Sequence, residues 1–341
     1  MSAPPVYRAF GFTHKCAAFT LFFLSFYGAW NTTLRTSSSG FTLPTRTGEL
    51  IQSSLKWNNS LLREYRALST SFHEKGGVVV FRHIQKTAGS AIRAYLTEKI
   101  PDKNTYIGSY SNFADFKARI AQYCVQGTPL ATVLFAEIHG EWERDSMHAL
   151  REWKFLARQH RTPFFAFSMV REPVSWYLSF FNYNLVHHGG LRPAEETFFE
   201  SVTPNLQCAE WAGLDWRAKQ AISERSCLSA IKDVVEVFDF VFTSDQIEAQ
   251  VLPIISHLGK IELQRICVIQ PEDLVQAGGF PQTLRVQNIS TDGLVRLQNI
   301  TNLDLHLYNT VKRTFKFDAW RKYLAEANAL EPAPGTTTFC T

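Results

Sequence analysis

The 341-residue chain has no basic run of five or more residues, no C-x-x-C pair and no internal repeat. The first absence, with a formal net charge of only +4, sets the chain apart from dedicated nucleic-acid binders, although an anionic partner is still permitted. The second, with no His/Cys cluster of metal-ligand spacing, argues against a structural zinc site. The third sets aside solenoid architectures. Carboxylates are scattered, and no pair stands out for glycosidase chemistry. What is present is an ordinary globular composition, 45% hydrophobic and 19% charged, on a chain long enough to bury a large core.

Long hydrophobic runs are also scarce. The one candidate, CAAFTLFFLSFYGAW over 16–30, is uncharged and follows Arg8, His14 and Lys15. It is shorter than the roughly 20 residues that cross a typical bilayer. Thinner membranes of the early secretory pathway accept shorter spans. An uncleaved signal-anchor is the expectation, with a cleaved signal peptide and a buried apolar segment as alternatives. Basic residues before it would leave 1–15 in the cytosol. A Ser/Thr/Asn-rich stem over 31–75, a globular domain over 76–330 and a tail over 331–341 would follow. The rest of the chain would then face an oxidising lumen. Cys208 and Cys227 flank a short segment and are the first candidates for a disulfide. Asn31, Asn58, Asn288 and Asn299 begin N-x-S/T triplets.

The most telling stretch is VVVFRHIQKTAGSAIRAYL over 78–96. A β-branched run without helical period predicts a buried parallel strand. Ile92, Tyr95 and Leu96 fall at helical spacing, with Ser90 or Thr87 expected as the cap. A strand, a polar turn and a helix N-terminus make an anion site, to which Lys86 adds a cation and the hydroxyls add donors. The spacing excludes a Walker A loop, because Gln85 stands where glycine must precede the lysine and Val80 stands five positions earlier.

Further strands are expected over 132–136, 164–170, 237–243 and 265–269. Helices are expected around Phe113, Phe116 and Ile120, over 151–158, from Pro173 to near Gly189, and as one long segment over 294–317. Alternating strands and helices predict an α/β fold with a mostly parallel central sheet flanked by helices. Ligands in such sheets sit beyond the carboxyl ends of strands. Three polar groups lie at those ends: Lys86 to Ser90, His139 to Trp142, and Arg171 to Ser179. Arg171 offers a second anion site. His139 is a candidate base, with Glu137 and Glu141 as candidate partners. The adjacent His187 and His188 read as a polar helix end, since neighbouring side chains rarely chelate one ion.

Taken together, these segments resemble the Golgi carbohydrate sulfotransferases, and HIQKT over 83–87 is most similar to the heparan sulfate 6-O-sulfotransferases. The resemblance spans roughly 77–323, in order. It implies the nucleotide-binding sulfotransferase fold and the donor 3′-phosphoadenosine 5′-phosphosulfate (PAPS), with no metal. By this likeness Lys86 with the backbone N–H groups of Thr87, Ala88, Gly89, Ser90 and Ala91 would hold the 5′-phosphate. Arg171 and Ser179, eight positions apart in VREPVSWYLSF, match the 3′-phosphate pair. IHGEW over 138–142 resembles the segment carrying the catalytic base, which would make His139 that base and Trp142 an acceptor contact. VQNIS over 286–290, with Gln287 and Asn288, resembles the loop that closes over the donor, and 302–315 resembles the C-terminal helix. The implied partners are an anionic glycan such as heparan sulfate and the Golgi membrane, with no nucleic acid. FFNYNLVHHGG over 180–190 lacks the basic residues that 6-O enzymes tend to carry there, and the turn reads Thr-Ala-Gly-Ser where the family prefers Thr-Gly-Gly-Thr. A uronyl 2-O-sulfotransferase, an enzyme for another glycan, or a non-catalytic glycan binder on the same fold are the alternatives.

Overall fold

The structure, a computed structural model, describes residues 57–100, 104–108, 112–129, 132–139, 143–214, 221–263, 266–267, 283–327 and 339–340. The signal-anchor expected over 16–30 lies outside them, and no helix among the described residues is long and apolar enough to cross a membrane. Helix α1 (Trp57–Lys75) leads into β1 (Gly77–Arg82) and α2 (Gly89–Lys99). Next come β2 (Thr105–Gly108), α3 (Phe113–Gln126), β3 (Val133–Ile138), α4 (Glu143–His160) and β4 (Phe164–Val170). The five central strands are completed by β5 (Phe240–Thr243) and stand in the order β2-β3-β1-β4-β5, every pair parallel. The expectation of a mostly parallel α/β sheet holds in this form.

Sequence alternation divides the core. Val78, Val80, Leu134, Ala136 and Ile138 face one cluster, with Trp153 and Trp176. Val79, Phe81, Phe135, Phe165 and Phe167 face the other. Every β1 residue is buried, as a strand covered on both faces requires. Helix α1, read from sequence as part of a stem, belongs to the second face: Phe72 is fully buried there, and Tyr65 stacks on Trp320 at 4.3 Å between ring centroids. The folded unit therefore starts N-terminal to Gly76.

Other features of the fold depart from the sequence expectation. The first is β2, a strand of only four residues at the sheet edge, which carries too few residues to show an alternation. The second concerns 265–269, where the strand is described only as β6 (Ile266–Cys267), which pairs with β7 (Phe339–Cys340) in a separate two-stranded sheet. The third is the helix from Pro173, which divides into α5 (Pro173–Phe180) and a π-helical stretch, Phe181–His187. The fourth is the long helix near the end, which breaks at Thr301 into α10 (Thr291–Ile300) and α11 (Asn302–Thr314). Between the π-helical stretch and β5 run α6 (Glu195–Ser201), α7 (Leu206–Trp211) and α8 (Glu224–Val237); Val237, expected in a strand, ends α8 instead. Beyond β5 lies α9 (Leu252–Gly259), and α12 (Asp318–Glu326) follows α11.

Cys208 and Cys227 form the expected disulfide, with Cα atoms 5.6 Å apart, and it joins α7 to α8. Asp304 of α11 caps α7 by accepting from the Cys208 N–H at 2.6 Å. Cys227→Ser opens a link across 19 positions. It is expected to lower unfolding free energy by about 3 kcal/mol, read from denaturant titration. Unchanged stability would show that α7 is held by the Asp304 cap and packing alone.

Candidate anion and proton-transfer site

The sheet topology places the candidate site. Connections from β1 and β4, which are adjacent, leave in opposite directions, to β2 at one edge and towards β5 at the other. Such a switch point opens a crevice at the carboxyl ends of the strands. Residues 83–88 follow β1, Arg171 follows β4, and His139 follows β3 on the other side of β1.

The turn after β1 is shaped by two residues with left-handed backbones, Lys86 (φ 60) and Ala88 (φ 67). Non-glycine residues adopt this conformation at a cost of about 1–2 kcal/mol each. Neighbouring contacts hold it. Thr87 Oγ1 donates to Ile84 O at 2.7 Å, Trp176 Nε1 to Gln85 O at 2.7 Å, and Arg171 Nη1 to Lys86 O at 3.2 Å. The carbonyls of Ile84, Gln85 and Lys86 are thus each engaged by a side chain, and a turn with left-handed residues is a backbone form in which successive N–H groups can gather as an anion-binding nest. Ala88, not Thr87 or Ser90, is the N-cap of α2 and makes no side-chain cap bond. Thr87 is fully buried, and its hydroxyl staples the turn where the sequence suggested an anion donor. The Ala91 N–H donates to Ala88 O at 3.1 Å, which leaves 87–90 as the candidate donors. Ser90 is exposed in the first turn of α2.

Gly89 serves the turn for a reason other than conformational freedom. Its φ is not positive; the need is space, because a Cβ there would overlap the His83 imidazole.

Lys86 Nζ lies 3.6 Å from the ring centroid of Tyr183, on the π-helical stretch. Burial, then the nearby Arg171, bring its pKa down to about 8. Arg171 is itself lowered by burial, with Glu172 opposing. Glu172 caps α5, accepting from the Val174 and Ser175 N–H groups at 3.1 and 2.8 Å. Buried Gln207 of α7 fixes the Arg171 backbone: Arg171 N donates to Gln207 Oε1 and Gln207 Nε2 donates to Arg171 O, each at 3.0 Å.

The base candidate is set by register. Arg82 pairs with Ile138, and the His83 N–H continues the ladder to Ile138 O at 2.9 Å. His83 and His139 therefore emerge side by side, and their rings stack at 4.3 Å with 14° between planes. Glu137 accepts from His83 Nδ1 at 2.7 Å, from Arg93 Nη2 at 2.7 Å and Nε at 2.9 Å, and from the Tyr106 hydroxyl. Burial would raise the Glu137 carboxyl, but the hydrogen bonds from His83, Arg93 and Tyr106 hold it well below the usual carboxylate range. His139 is brought down to about 4, first by burial and then by His83 and Arg93, with Glu137 and the His83 backbone opposing. It is a neutral imidazole near pH 7 and able to accept a proton.

Donor atoms of His83, Glu137 and His139 lie within 4.8 Å of one another, close enough to raise the question of a metal ion. Both Glu137 oxygens already accept hydrogen bonds from Arg93, a fixed cation, so the cluster fits a hydrogen-bonded network better than a metal centre.

Of the residues expected from sequence, the structure joins Lys86 and Arg171 directly and sets His139 at the neighbouring strand end. Ser179 is half-buried in α5, two turns beyond Arg171. Gln287 and Asn288 are exposed in a 3₁₀ turn, Val286–Asn288, where Asn288 Oδ1 accepts from Arg285 N at 3.1 Å. Two hydrogen bonds between Asn182 and Leu284 tie that segment to the π-helical stretch carrying Tyr183. Trp142 and Glu141 lie outside the described residues. Sequence reasoning missed His83 as a participant, and with it Arg93, Tyr106, Tyr183 and Gln207. One signal was available: a carboxylate within a buried strand, Glu137, demands partners.

The Lys86 charge is present below about pH 8 and lost as pH rises through that value. A bound anion restores it. Titration of 3′-phosphoadenosine 5′-phosphate at pH 8.5, in buffers of different ionisation enthalpy, is expected to show proton uptake of up to about one proton, absent in Lys86→Arg. Uptake unchanged in Lys86→Arg would remove Lys86 from the anion site. In comparison with known proteins, the chain matches no family model and no curated protein.

Proposed function

We propose that this protein is a sulfotransferase that moves a sulfuryl group from PAPS to a hydroxyl of an anionic glycan. The observation that carries the reading is the joining of two cations, Lys86 and Arg171, across a sheet switch point, with a neutral His139 at the adjoining strand end. In this reading the chain has the sulfotransferase fold. The nest over 87–90 and Lys86 take the 5′-phosphate, and Arg171 with Ser179 takes the 3′-phosphate. Gln287 and Asn288 close over the nucleotide from the segment tied to Asn182.

The reaction is an in-line displacement at sulfur. A glycan hydroxyl oxygen forms the new O–S bond as the S–O bond to the 5′-phosphate breaks. His139 accepts the hydroxyl proton. Charge gathers on the departing phosphate oxygen, where Lys86 neutralises it. The products are a sulfate monoester and 3′-phosphoadenosine 5′-phosphate. The residues of the two motifs ask for no redox partner and no resident metal. With the apolar stretch over 16–30 as a signal-anchor, the catalytic domain would work in the Golgi lumen. The acceptor class is a glycosaminoglycan such as heparan sulfate, sulfated at a 6-hydroxyl.

Transfer of radiolabelled sulfate from PAPS to a panel of glycans tests the reading. Wild-type protein is expected to label an anionic glycan. His139→Ala should lose about 10²–10⁴-fold in kcat while still binding 3′-phosphoadenosine 5′-phosphate. In the free enzyme, kcat/KM should be flat from pH 5 to 7, falling on the acid side near 4 as His139 protonates and on the alkaline side near 8 as Lys86 loses its charge. Full activity of a folded His139→Ala variant would remove it as the base, and an acid limb near 6.5 assigned to His139 would contradict the depressed pKa that burial and its neighbours impose.

A further inference from the structure

We propose that His83 is a positioning residue: clamped by Glu137, it forms the wall between the anion loop and His139, and so fixes the ring plane of the base and its separation from the reacting sulfuryl group. The inference deepens the sulfotransferase reading and rests on it for His139 being the base.

Three contacts of one buried imidazole carry it. On one side its ring stacks with that of His139, 4.3 Å away and only 14° from parallel. At its edge Nδ1 lies 2.7 Å from Glu137 Oε1. An ionised carboxylate can only accept, so this shorter contact places the proton on Nδ1, against the Arg93 Nη2 donor 3.2 Å from the same nitrogen. On a third side the ring fills the space where a side chain at position 89 would begin, so the anion loop closes onto His83 only because that residue is glycine. The backbone adds a fourth restraint through the His83 N–H bond to Ile138 O, immediately before His139.

The clamp is itself held from two further elements. Arg93 of α2 binds Glu137 through two nitrogens, and Tyr106 of β2 donates to the second oxygen. The ionisable groups around His139 are thus His83 from the end of β1, Arg93 from α2, Glu137 from β3 and Tyr106 from β2; Lys86 of the anion loop acts on His83. Burial lowers the His83 pKa, and its Nδ1 is engaged with Glu137, which suits a wall held in one place. A ring between the loop and the base is placed to transmit any movement of one to the other, and a displacement of about 1 Å in such a geometry costs up to about 100-fold in rate.

Four measurements on the full chain decide the matter. In histidine-labelled wild-type protein, NMR is expected to show an Nδ1–H tautomer for His83 that persists from pH 5 to 8, with cross-relaxation between the His83 and His139 rings. In folded His83→Gln, the His139 titration should move up by about one unit as water enters and the neighbouring ring is lost. The kcat for sulfuryl transfer should fall about 10–100-fold while donor KM stays within about threefold. Gly89→Ala should lower Tm by about 5 °C in the wild-type background and by less than half of that in His83→Ala, because the obstructing ring is gone. A freely exchanging His83 tautomer without ring contact in the wild type overturns the proposal whether or not the variants fold. So does a His139 titration unchanged in His83→Gln, or an undiminished Gly89→Ala effect in His83→Ala. If the wild type transfers no sulfuryl group, the functional reading fails, while the titration and the coupling still decide whether His83 positions His139.

Discussion

A carboxylate near the end of a buried strand must be matched, and Glu137 is matched from three other segments at once. Its own strand, β3, lies between β2 and β1. Tyr106 reaches it from β2, His83 from the end of β1, and Arg93 from α2. Removing any partner leaves a buried charge short of its donors, which costs several kcal/mol when the charge is wholly unpaired. The same pairing decides where β1 ends, how α2 is rotated above it and which way the His83 ring faces. Placement of His139 follows, because it stacks on that ring.

The anion loop depends on a second, complementary restraint. Its left-handed residues at 86 and 88 carry side chains, so the conformation must be imposed by contacts. Trp176 and Arg171 impose it from the β4 side by taking the Gln85 and Lys86 carbonyls. Lys86 is parked over Tyr183 on a π-helical stretch, a form of helix often found at functional sites. The loop is held from β4 and α5 and the network beside His139 from β2 and α2, and His83 is where the two halves meet.

Much of this was legible in the chain. The run at 78–81 announced a buried strand because β-branched residues without helical period fit nothing else as well, and 164–170 gave its strand to the residue. The coincidence of Lys86, His139 and Arg171 with strand ends was also visible, since it depends only on sequence order in a parallel sheet. What escaped depended on contacts between distant segments. Tyr106 sits on an edge strand too short to show alternation, so neither the strand nor its hydroxyl could be seen. Gln207 and Arg93 are polar residues on helices, ordinary until the register brings Arg171 and Glu137 to them. The capping role expected of Thr87 or Ser90 went to Ala88, because the Thr87 hydroxyl found the Ile84 carbonyl first. The disulfide between Cys208 and Cys227 was found because short spacing made them natural partners, whereas Asp304, nearly a hundred residues away, had no local signal as the α7 cap.

The central claim is that two cations from different strand ends hold two phosphates of one nucleotide. Calorimetric titration with 3′-phosphoadenosine 5′-phosphate and with adenosine 5′-monophosphate, on wild-type and Arg171→Ala protein, tests it most directly. The account predicts that the 3′-phosphate tightens binding to the wild type by about 10²-fold or more, consistent with charge-assisted hydrogen bonds at a partly buried guanidinium, and that Arg171→Ala abolishes most of that difference. Equal affinity for the two nucleotides in the wild type, or a preference that survives in Arg171→Ala, would contradict it.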